Sequence, residues 1–451
     1  VTLADWAAGG REVAVLGLGA SGVAATRLLR GRGIPVYASD SGVGSALATV
    51  ALALEAAGAK VELGGHDLDR IARAGAVVPS PGVPPEARAL QVAREAGVPI
   101  RAEADLGLEA LAGVPFVAIT GTNGKTTTTA LVAHLLAAGG LRAEAVGNIG
   151  TAVSEVALRP DRPEWLAVEL SSFQLHDCWF LRPTVGILTN LSPDHLDRYP
   201  ALADYYADKA RLFRLAGPDS RWVLNADDPE SLRLAAGVPG TRILVSIEGR
   251  ADAWFDRATD QLMLGQAVLL PRRELQLLGD HNVGNALMAA AAAHAAGVSA
   301  QALTAGLASF RALGHRLEPV AEVDGVLWIN DSKATNIAST AVALAAMERP
   351  YILLLGGIHK GEPYTRLIPA LQRRCKAIVA YGAAEPLIRS DLEGAVRVES
   401  AGSDWDTVVA TARRLAEPGD VILLSPACSS FDMFTSYGDR GARFRAAAHP
   451  A

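Results

Sequence analysis

Lys125 lies in Thr120-Gly-Thr-Asn-Gly-Lys-Thr-Thr127, the segment whose residue types and spacing most directly specify a chemistry. Gly121 and Gly124 allow backbone N–H groups to approach phosphate oxygens, a lysine amine reaches terminal phosphates, and the Thr126 hydroxyl can bind Mg²⁺. The apolar run 114–119 before it reads as a buried strand and the stretch 128–138 after it as a helix, the layout of a phosphate-binding loop. The spacing is unusual: Gly124 follows Gly121 by three residues, and Ile119 stands where the commoner pattern has its first glycine. A glycine turn that only caps a helix is the alternative; the strand before and the helix after favour nucleotide binding.

Two further glycine-rich turns precede it. Glu12-Val-Ala-Val-Leu-Gly17-Leu-Gly19-Ala-Ser21-Gly22 is followed by a helical stretch and by Pro35-Val-Tyr-Ala-Ser-Asp40. Strand, Gly-x-Gly-x-x-Gly, helix, and a strand ending in an acid form a Rossmann-type pattern. Alone it suits an NAD-dependent oxidoreductase, or any diphosphate held at a helix N-terminus. The turn Ser80-Pro81-Gly82 follows another apolar run and either lines the same crevice or is a rigid proline loop.

Beyond the phosphate loop, the strand-like runs 165–170 and 184–191 end in polar residues, with Glu169-Leu-Ser171-Ser-Phe-Gln after the first and Asp194-His195-Leu-Asp197 after the second. In open α/β sheets ligands bind at that edge, where a carboxylate and an imidazole can reach a metal carried by nucleotide phosphates. An end-of-strand acid and a structural histidine are the plainer readings. The stretch 204–212 reads as a helix presenting Lys209, and Asn282 and Asn285, three apart, share a face of the alanine-rich helix that follows, where they cap it or contact a base. From residue 313 onward, strands again alternate with helical stretches and predict a parallel or mostly parallel sheet. Polar clusters fall at its strand ends: His315-Arg316, Asn330-Asp331-Ser332-Lys333-Ala-Thr335-Asn336, Lys360, and Ser425-Pro-Ala-Cys-Ser-Ser430-Phe431.

The elements that must position these groups need several cores. At 451 residues the chain exceeds what one core supports, and half of it is apolar, as in a compact folded protein. A net charge of −6 offers no basic field for nucleic acid. No apolar run is long enough to cross a bilayer, and residues 1–10 lack the pattern of a secretion signal. Cys178, Cys375 and Cys428 are too few and scattered for a disulfide framework or a structural zinc site, so a cytoplasmic location is expected. Of 42 basic residues only Lys60, Lys125, Lys209, Lys333, Lys360 and Lys376 are lysines. Where arginine is the default cation, a retained lysine points to amine chemistry that arginine cannot perform, although Lys60 and Lys376 read as ordinary surface positions.

Taken in order along nearly the whole chain, the phosphate loop, Glu169-Leu-Ser-Ser-Phe-Gln-Leu, Asp194-His-Leu-Asp-Arg-Tyr-Pro200, His281-Asn-Val-Gly-Asn285, His315-Arg316 and Asn330-Asp-Ser-Lys-Ala-Thr-Asn336 resemble the Mur ligases, the ATP-dependent amide-forming enzymes of peptidoglycan precursor synthesis. Within that family the Asp194 and Asn330 motifs, with Ser425-Pro-Ala-Cys-Ser-Ser-Phe-Asp, are similar to the branch that adds D-glutamate to UDP-N-acetylmuramoyl-L-alanine. The resemblance implies an α/β protein of three domains: a Rossmann-like UDP-binding domain over 1–110, a central P-loop-type ATPase domain over 111–312, and a Rossmann-like amino-acid-binding domain over 313–451. It turns the first glycine motif into a substrate site: Gly17, Gly19, Ser21 and Gly22 for the diphosphate, Asp40, Ser41, Ser80, Pro81 and Gly82 for the uridine end, and Asn148, Ser171 and His195 for the remainder. This chain departs from the branch in having Gly42 where an arginine is common, His359 before Lys360 where an acid is usual, and Tyr437 where phenylalanine is expected.

The same resemblance implies that ATP is held by Gly121, Thr122, Asn123, Gly124, Lys125, Thr126 and Thr127, with Asn282 and Asn285 on the adenine side, Asp331 on the ribose, and Lys333 and Arg316 on phosphate. Arg316 would reach the transferring phosphoryl group on domain closure. Thr126, Glu169, His195 and Lys209, the last as a carbamate, are implied ligands of two Mg²⁺ ions, and Thr335, Lys360, Ser430, Phe431 and Tyr437 surround D-glutamate. Lys125, His195, Lys209 and Arg316 form the implied catalytic set, in a monomer with small-molecule substrates. The competing readings are a Mur-type ligase for another amino acid, including the folate polyglutamate type, and the dehydrogenase suggested by Gly17–Gly22.

Overall fold

Short runs of small and β-branched residues buried at every position become the central strands, as expected where helices cover both faces of a parallel sheet. The computed structural model describes residues 2–194 and 198–449. Val13–Leu16 (β1), Val36–Asp40 (β2), Lys60–Leu63 (β3) and Ala76–Pro79 (β4) form a parallel sheet in the order β3-β2-β1-β4.

A nine-stranded sheet follows, built from Phe116–Thr120 (β5), Ala143–Gly147 (β6), Trp165–Glu169 (β7), Val185–Leu188 (β8), Arg221–Asn225 (β9), Thr241–Ser246 (β10), Ala253–Asp256 (β11), Gln261–Leu264 (β12) and Ala267–Pro271 (β13). Its order is β13-β12-β11-β10-β9-β8-β5-β7-β6, parallel up to β11 and antiparallel across the last two pairings. This places β5 between β7 and β8, so the loops after all three emerge together at one edge.

Both sheets belong to one compact unit, residues 1–272 with 284–308. Within it, the buried Arg101 donates from Nε to Asp105 Oδ2 at 2.8 Å, and Asp105 Oδ1 accepts the N–H groups of Trp179 and Phe180. The segment leaving the first sheet is thereby tied to the loop behind β7.

The second unit comprises residues 273–283 and 309–451. Its sheet contains Glu318–Val323 (β14), Val326–Asn330 (β15), Tyr351–Gly356 (β16), Cys375–Tyr381 (β17), Val398–Ser400 (β18) and Val421–Leu424 (β19), ordered β14-β15-β19-β16-β17-β18. Only the β14–β15 pairing is antiparallel. Strand alternation divides its interior into two cores: Ile329, Leu353, Leu355 and Ile378 pack on one face, Trp328, Ile352, Leu354 and Val379 on the other. The architecture is thus α/β with three mainly parallel sheets. Among the described residues no helix is long and apolar enough to cross a membrane.

Candidate active site

The loop after β5 takes its shape from two glycines with positive φ, 148° at Gly121 and 80° at Gly124. A side chain at Gly121 would enter the Thr189 hydroxyl, and one at Gly124 would enter Asn285. The loop is held from below by the β8 end: Thr122 N–H donates to the Asn190 carbonyl at 2.8 Å, Asn123 N–H to Asn190 Oδ1 at 3.0 Å, and Thr189 Oγ1 to the Asn123 carbonyl at 2.6 Å. The helix begins at Lys125 and runs to Ala138, three residues earlier than the sequence suggests, so Lys125, Thr126 and Thr127 occupy its first turn. The N-terminal turn of this helix, with its positive dipole end, faces the loop. Lys125 Nζ folds back onto the Gly121 and Thr122 carbonyls at 3.1 and 2.9 Å. Asn285 accepts from Thr128 on this same helix at 3.3 Å, which places one of the expected adenine-side residues beside the loop.

Glu169 closes β7 in the adjacent register and is buried. One carboxylate oxygen accepts from Asn148 Nδ2 at 3.1 Å; the other, Oε2, is buried with no hydrogen-bond partner among the described residues. A buried carboxylate oxygen without a partner is unfavourable unless a cation completes it, so this residue fits the implied Mg²⁺. Among the described residues no group of three or more His, Cys, Asp and Glu side chains gathers as a ready-made metal cluster. The donor set here is one carboxylate and hydroxyl oxygens, which suits a hard ion carried in with phosphates.

Lys209 comes from the helix Leu202–Ala210 and is 1% exposed. Its Nζ donates to Thr120 Oγ1 at 3.5 Å and lies 4.8 Å from the Tyr205 ring centre. Burial, reinforced by the nearby charge of Lys125, holds this amine well below the usual lysine range. Tyr205, which the sequence did not mark, sits beneath both groups, its hydroxyl 3.1 Å from Thr122 Oγ1. Its only sequence signal is helical spacing four residues before Lys209, which any core aromatic would share. His195 lies outside the described residues.

The first sheet builds the expected substrate turn. Gly17 has φ 85°, its carbonyl accepts from Ser80 Oγ at 2.8 Å, and a side chain at Gly22 would collide with that carbonyl. Asp40 accepts the N–H of Leu18 on Oδ2 at 2.7 Å and that of Gly42 on Oδ1 at 2.8 Å, pinning the turn to its own loop. Gly19 caps the helix Ala20–Gly31, which carries Ser21. Ser41, Pro81 and Gly82 are exposed around this crevice. Ser80 and Pro81 also line a cavity of about 590 Å³ whose far wall includes Phe173, Gln174 and Tyr199. Ser171 begins that wall by capping the helix Ser172–His176 in a reciprocal pair with Gln174.

In the second unit, Asp331 is buried, accepts from Ser425 Oγ at 2.9 Å and from the Leu317 N–H at 3.2 Å, and is pushed up to about 7 by burial. Lys333 Nζ, expected on phosphate, meets the Tyr437 hydroxyl at 3.3 Å, and Lys360 Nζ meets Thr335 Oγ1 at 3.3 Å, which brings together two of the residues expected around the amino acid. Ser430 is buried and Phe431 is 70% exposed in the same loop. Asn282 donates from Nδ2 to the Leu278 carbonyl at 2.8 Å. His315 and Leu317, on either side of Arg316, have φ of 64° and 43°, a strained conformation for residues with side chains.

Three family models match in succession: residues 11–102 match "Mur ligase MurD-like, N-terminal domain", 119–293 "Mur ligase middle domain", and 315–428 "Mur ligase, glutamate ligase domain". A UDP-N-acetylmuramoylalanine–D-glutamate ligase of Myxococcus xanthus is 42% identical over 446 residues, covering 97% of each chain. The protein of that name from Anaeromyxobacter dehalogenans is also 42% identical, again with 97% of each chain covered. Among solved structures, a UDP-N-acetylmuramate-alanine ligase from Thermotoga maritima superimposes with a TM-score of 0.61 at 19% identity, over 96% of this chain and 98% of that one. A pseudomurein peptide ligase type C from Methanothermus fervidus gives 0.60 at 20% identity, over 97% and 99%. At these identities the structural likeness speaks for the fold.

Proposed function

The chain belongs to the Mur ligase family, and on that premise we propose that it joins D-glutamate to UDP-N-acetylmuramoyl-L-alanine, forming an amide at the expense of ATP and releasing ADP and phosphate. The observation that carries the reaction class is the convergence, at the β5–β7 edge, of the phosphate loop, the unpaired Glu169 oxygen and the buried Lys209 amine. The amino acid follows from the near-full-length similarity to ligases named for D-glutamate.

The substrate carboxylate attacks the γ-phosphorus of ATP to give an acyl phosphate, and the D-glutamate amine then displaces phosphate. Several anions must meet, so catalysis rests on positive charge and fixed donors. Lys125 turns from the loop carbonyls to the β- and γ-phosphates, and the backbone N–H groups of the loop and the first turn cradle them. Thr126 and Glu169 would hold Mg²⁺, which would supply charge neutralisation when bound. Lys209, as a carbamate, would complete the surroundings of a second ion, with His195 assigned there by family resemblance. Burial, with no ion pair among the described residues, supports this role: a neutral amine can add CO₂, and the product is an anionic oxygen ligand beside Thr120. Arg316 is assigned to the transferring phosphoryl group, Asp331 to the ribose, Asn282 and Asn285 to the adenine side, and Lys333 to phosphate. Gly17–Gly22, the end of β2 and the 80–82 turn take the UDP end. Thr335, Lys360, Ser430, Phe431 and Tyr437 take the amino acid. The enzyme works as a cytoplasmic monomer on small-molecule substrates.

Incubation with both substrates and ATP should yield a UDP-linked product heavier by one glutamyl residue. Recovery of unchanged precursor would contradict the assignment.

A further inference from the structure

Arg440 is a fully buried arginine in the helix Tyr437–Ala448. No carboxylate pairs with it among the described residues; its partners are Ser332 Oγ at 2.9 Å from Nε, the Ser332 carbonyl at 2.8 Å from Nη2, and the Cys428 carbonyl at 3.2 Å from both Nη1 and Nη2. A buried cation without a counter-ion is unfavourable, and its place near the positive end of a helix is unfavourable too. What it gains is a planar fork that grips two loops at once.

Those loops carry the expected ligand contacts. Ser332 stands between Asp331 and Lys333, three residues before Thr335, and Cys428 stands two residues before Ser430. The second loop is strained: Ala427, next to Cys428, has φ 54°. Strain of this kind persists only where the surroundings over-determine it. The same helix turn holds the other strained segment. The Gly441 carbonyl accepts from Asn330 Nδ2, whose amide also meets His315 Nδ1 at 3.0 Å, and a side chain at Gly441 would collide with the His315 ring. The Tyr437 carbonyl accepts from Ser332 Oγ at 2.8 Å.

We propose that Arg440 is a positioning residue for amino-acid binding: it locks the 331–336 turn and the 426–431 loop at the spacing in which Thr335, Lys360 and Ser430 form one carboxylate-binding surface. This inference rests on the reading of those loops given under the proposed function. Arg440 does not touch substrate; it acts through Ser332 and Cys428.

The test uses the full chain with alanine and lysine replacements, reading KM separately for D-glutamate and for the UDP-linked precursor, whose site lies on the other unit. Arg440→Ala is expected to raise the KM for D-glutamate roughly tenfold or more, with the KM for the precursor within about twofold of the parent. Millimolar guanidinium should recover part of the loss, because it can occupy the vacated space and bond both carbonyls. Arg440→Lys, which keeps the charge and most of the buried stem, should show the same selective shift without guanidinium rescue, and it carries the test if the alanine variant does not fold. An unchanged D-glutamate KM in a folded variant, or equal rises for both substrates, would overturn the role. Absence of D-glutamate-dependent phosphate release by the parent protein would instead contradict the proposed function itself.

Discussion

The Lys209 amine lies 3.5 Å from the Thr120 hydroxyl, at the residue where β5 gives way to the phosphate loop. Thr120 Oγ1 in turn donates to the Leu170 carbonyl at 2.8 Å, directly after Glu169. One buried chain of contacts therefore joins the nucleotide loop, the carboxylate strand end and a lysine that has no ion pair among the described residues. An amine buried in this position is what the proposed carbamate role calls for.

If Lys209 is carbamylated, protein equilibrated with ¹³C-bicarbonate should show a carbamate carbonyl signal that is absent from Lys209→Met. Methionine matches the buried neutral stem, so the variant should fold with a melting temperature close to that of the parent. Its phosphate release should fall by roughly 10²–10³-fold, the usual range for losing one oriented electrostatic group. An active methionine variant, or a parent without the signal, would refute the modification.

Gly124→Ala tests the loop geometry independently of charge. Alanine at φ 80° is strained by about 1–2 kcal/mol, and its methyl group would press on Asn285. The expected outcome is a modest drop in melting temperature and loss of most of the stabilisation that ATP confers in a thermal-shift titration. Unaltered ATP protection would mean that this loop does not cradle the phosphates.

Asp331 predicts a pH effect on stability. Its carboxyl titrates near 3.8 in the unfolded chain and at about 7 in the folded protein, where burial favours the protonated form. Between those values unfolding releases a proton, so stability falls as pH rises, and above about 7 the full penalty is present. Asp331→Asn removes this ionisation. The variant should gain little over the parent near pH 4 and of the order of 2–4 kcal/mol near pH 8, while its KM for ATP should rise through loss of the proposed ribose contact. Parallel stability–pH curves for the two proteins would contradict this assignment.

Much of this site was legible because its chemistry is local in sequence. The strand, glycines, lysine and helix of the phosphate loop are contiguous, and the helix starts earlier than expected because the threonines after Lys125 already take helical backbone. The Gly17 turn was legible for the same reason, although its ligand was not: glycines report backbone approach to a diphosphate, not which diphosphate. The β10–β13 extension was not anticipated, since its strands are short and carry no chemical motif. Tyr205 and Arg440 were also missed. A tyrosine at helical spacing looks like any core residue, and one arginine among 36 gives no sign that it is sealed between two loops. Asp40 was legible as an acid ending a strand, but its grip on the Leu18 and Gly42 backbone appears only in three dimensions.

The most direct test of the central claim is phosphate release from ATP in the presence of UDP-N-acetylmuramoyl-L-alanine and a panel of D-glutamate, L-glutamate and L-alanine. The account predicts sustained release with D-glutamate and only background with the other two. Release that is equal for both glutamate enantiomers, that is driven by L-alanine, or that is absent with D-glutamate would contradict it.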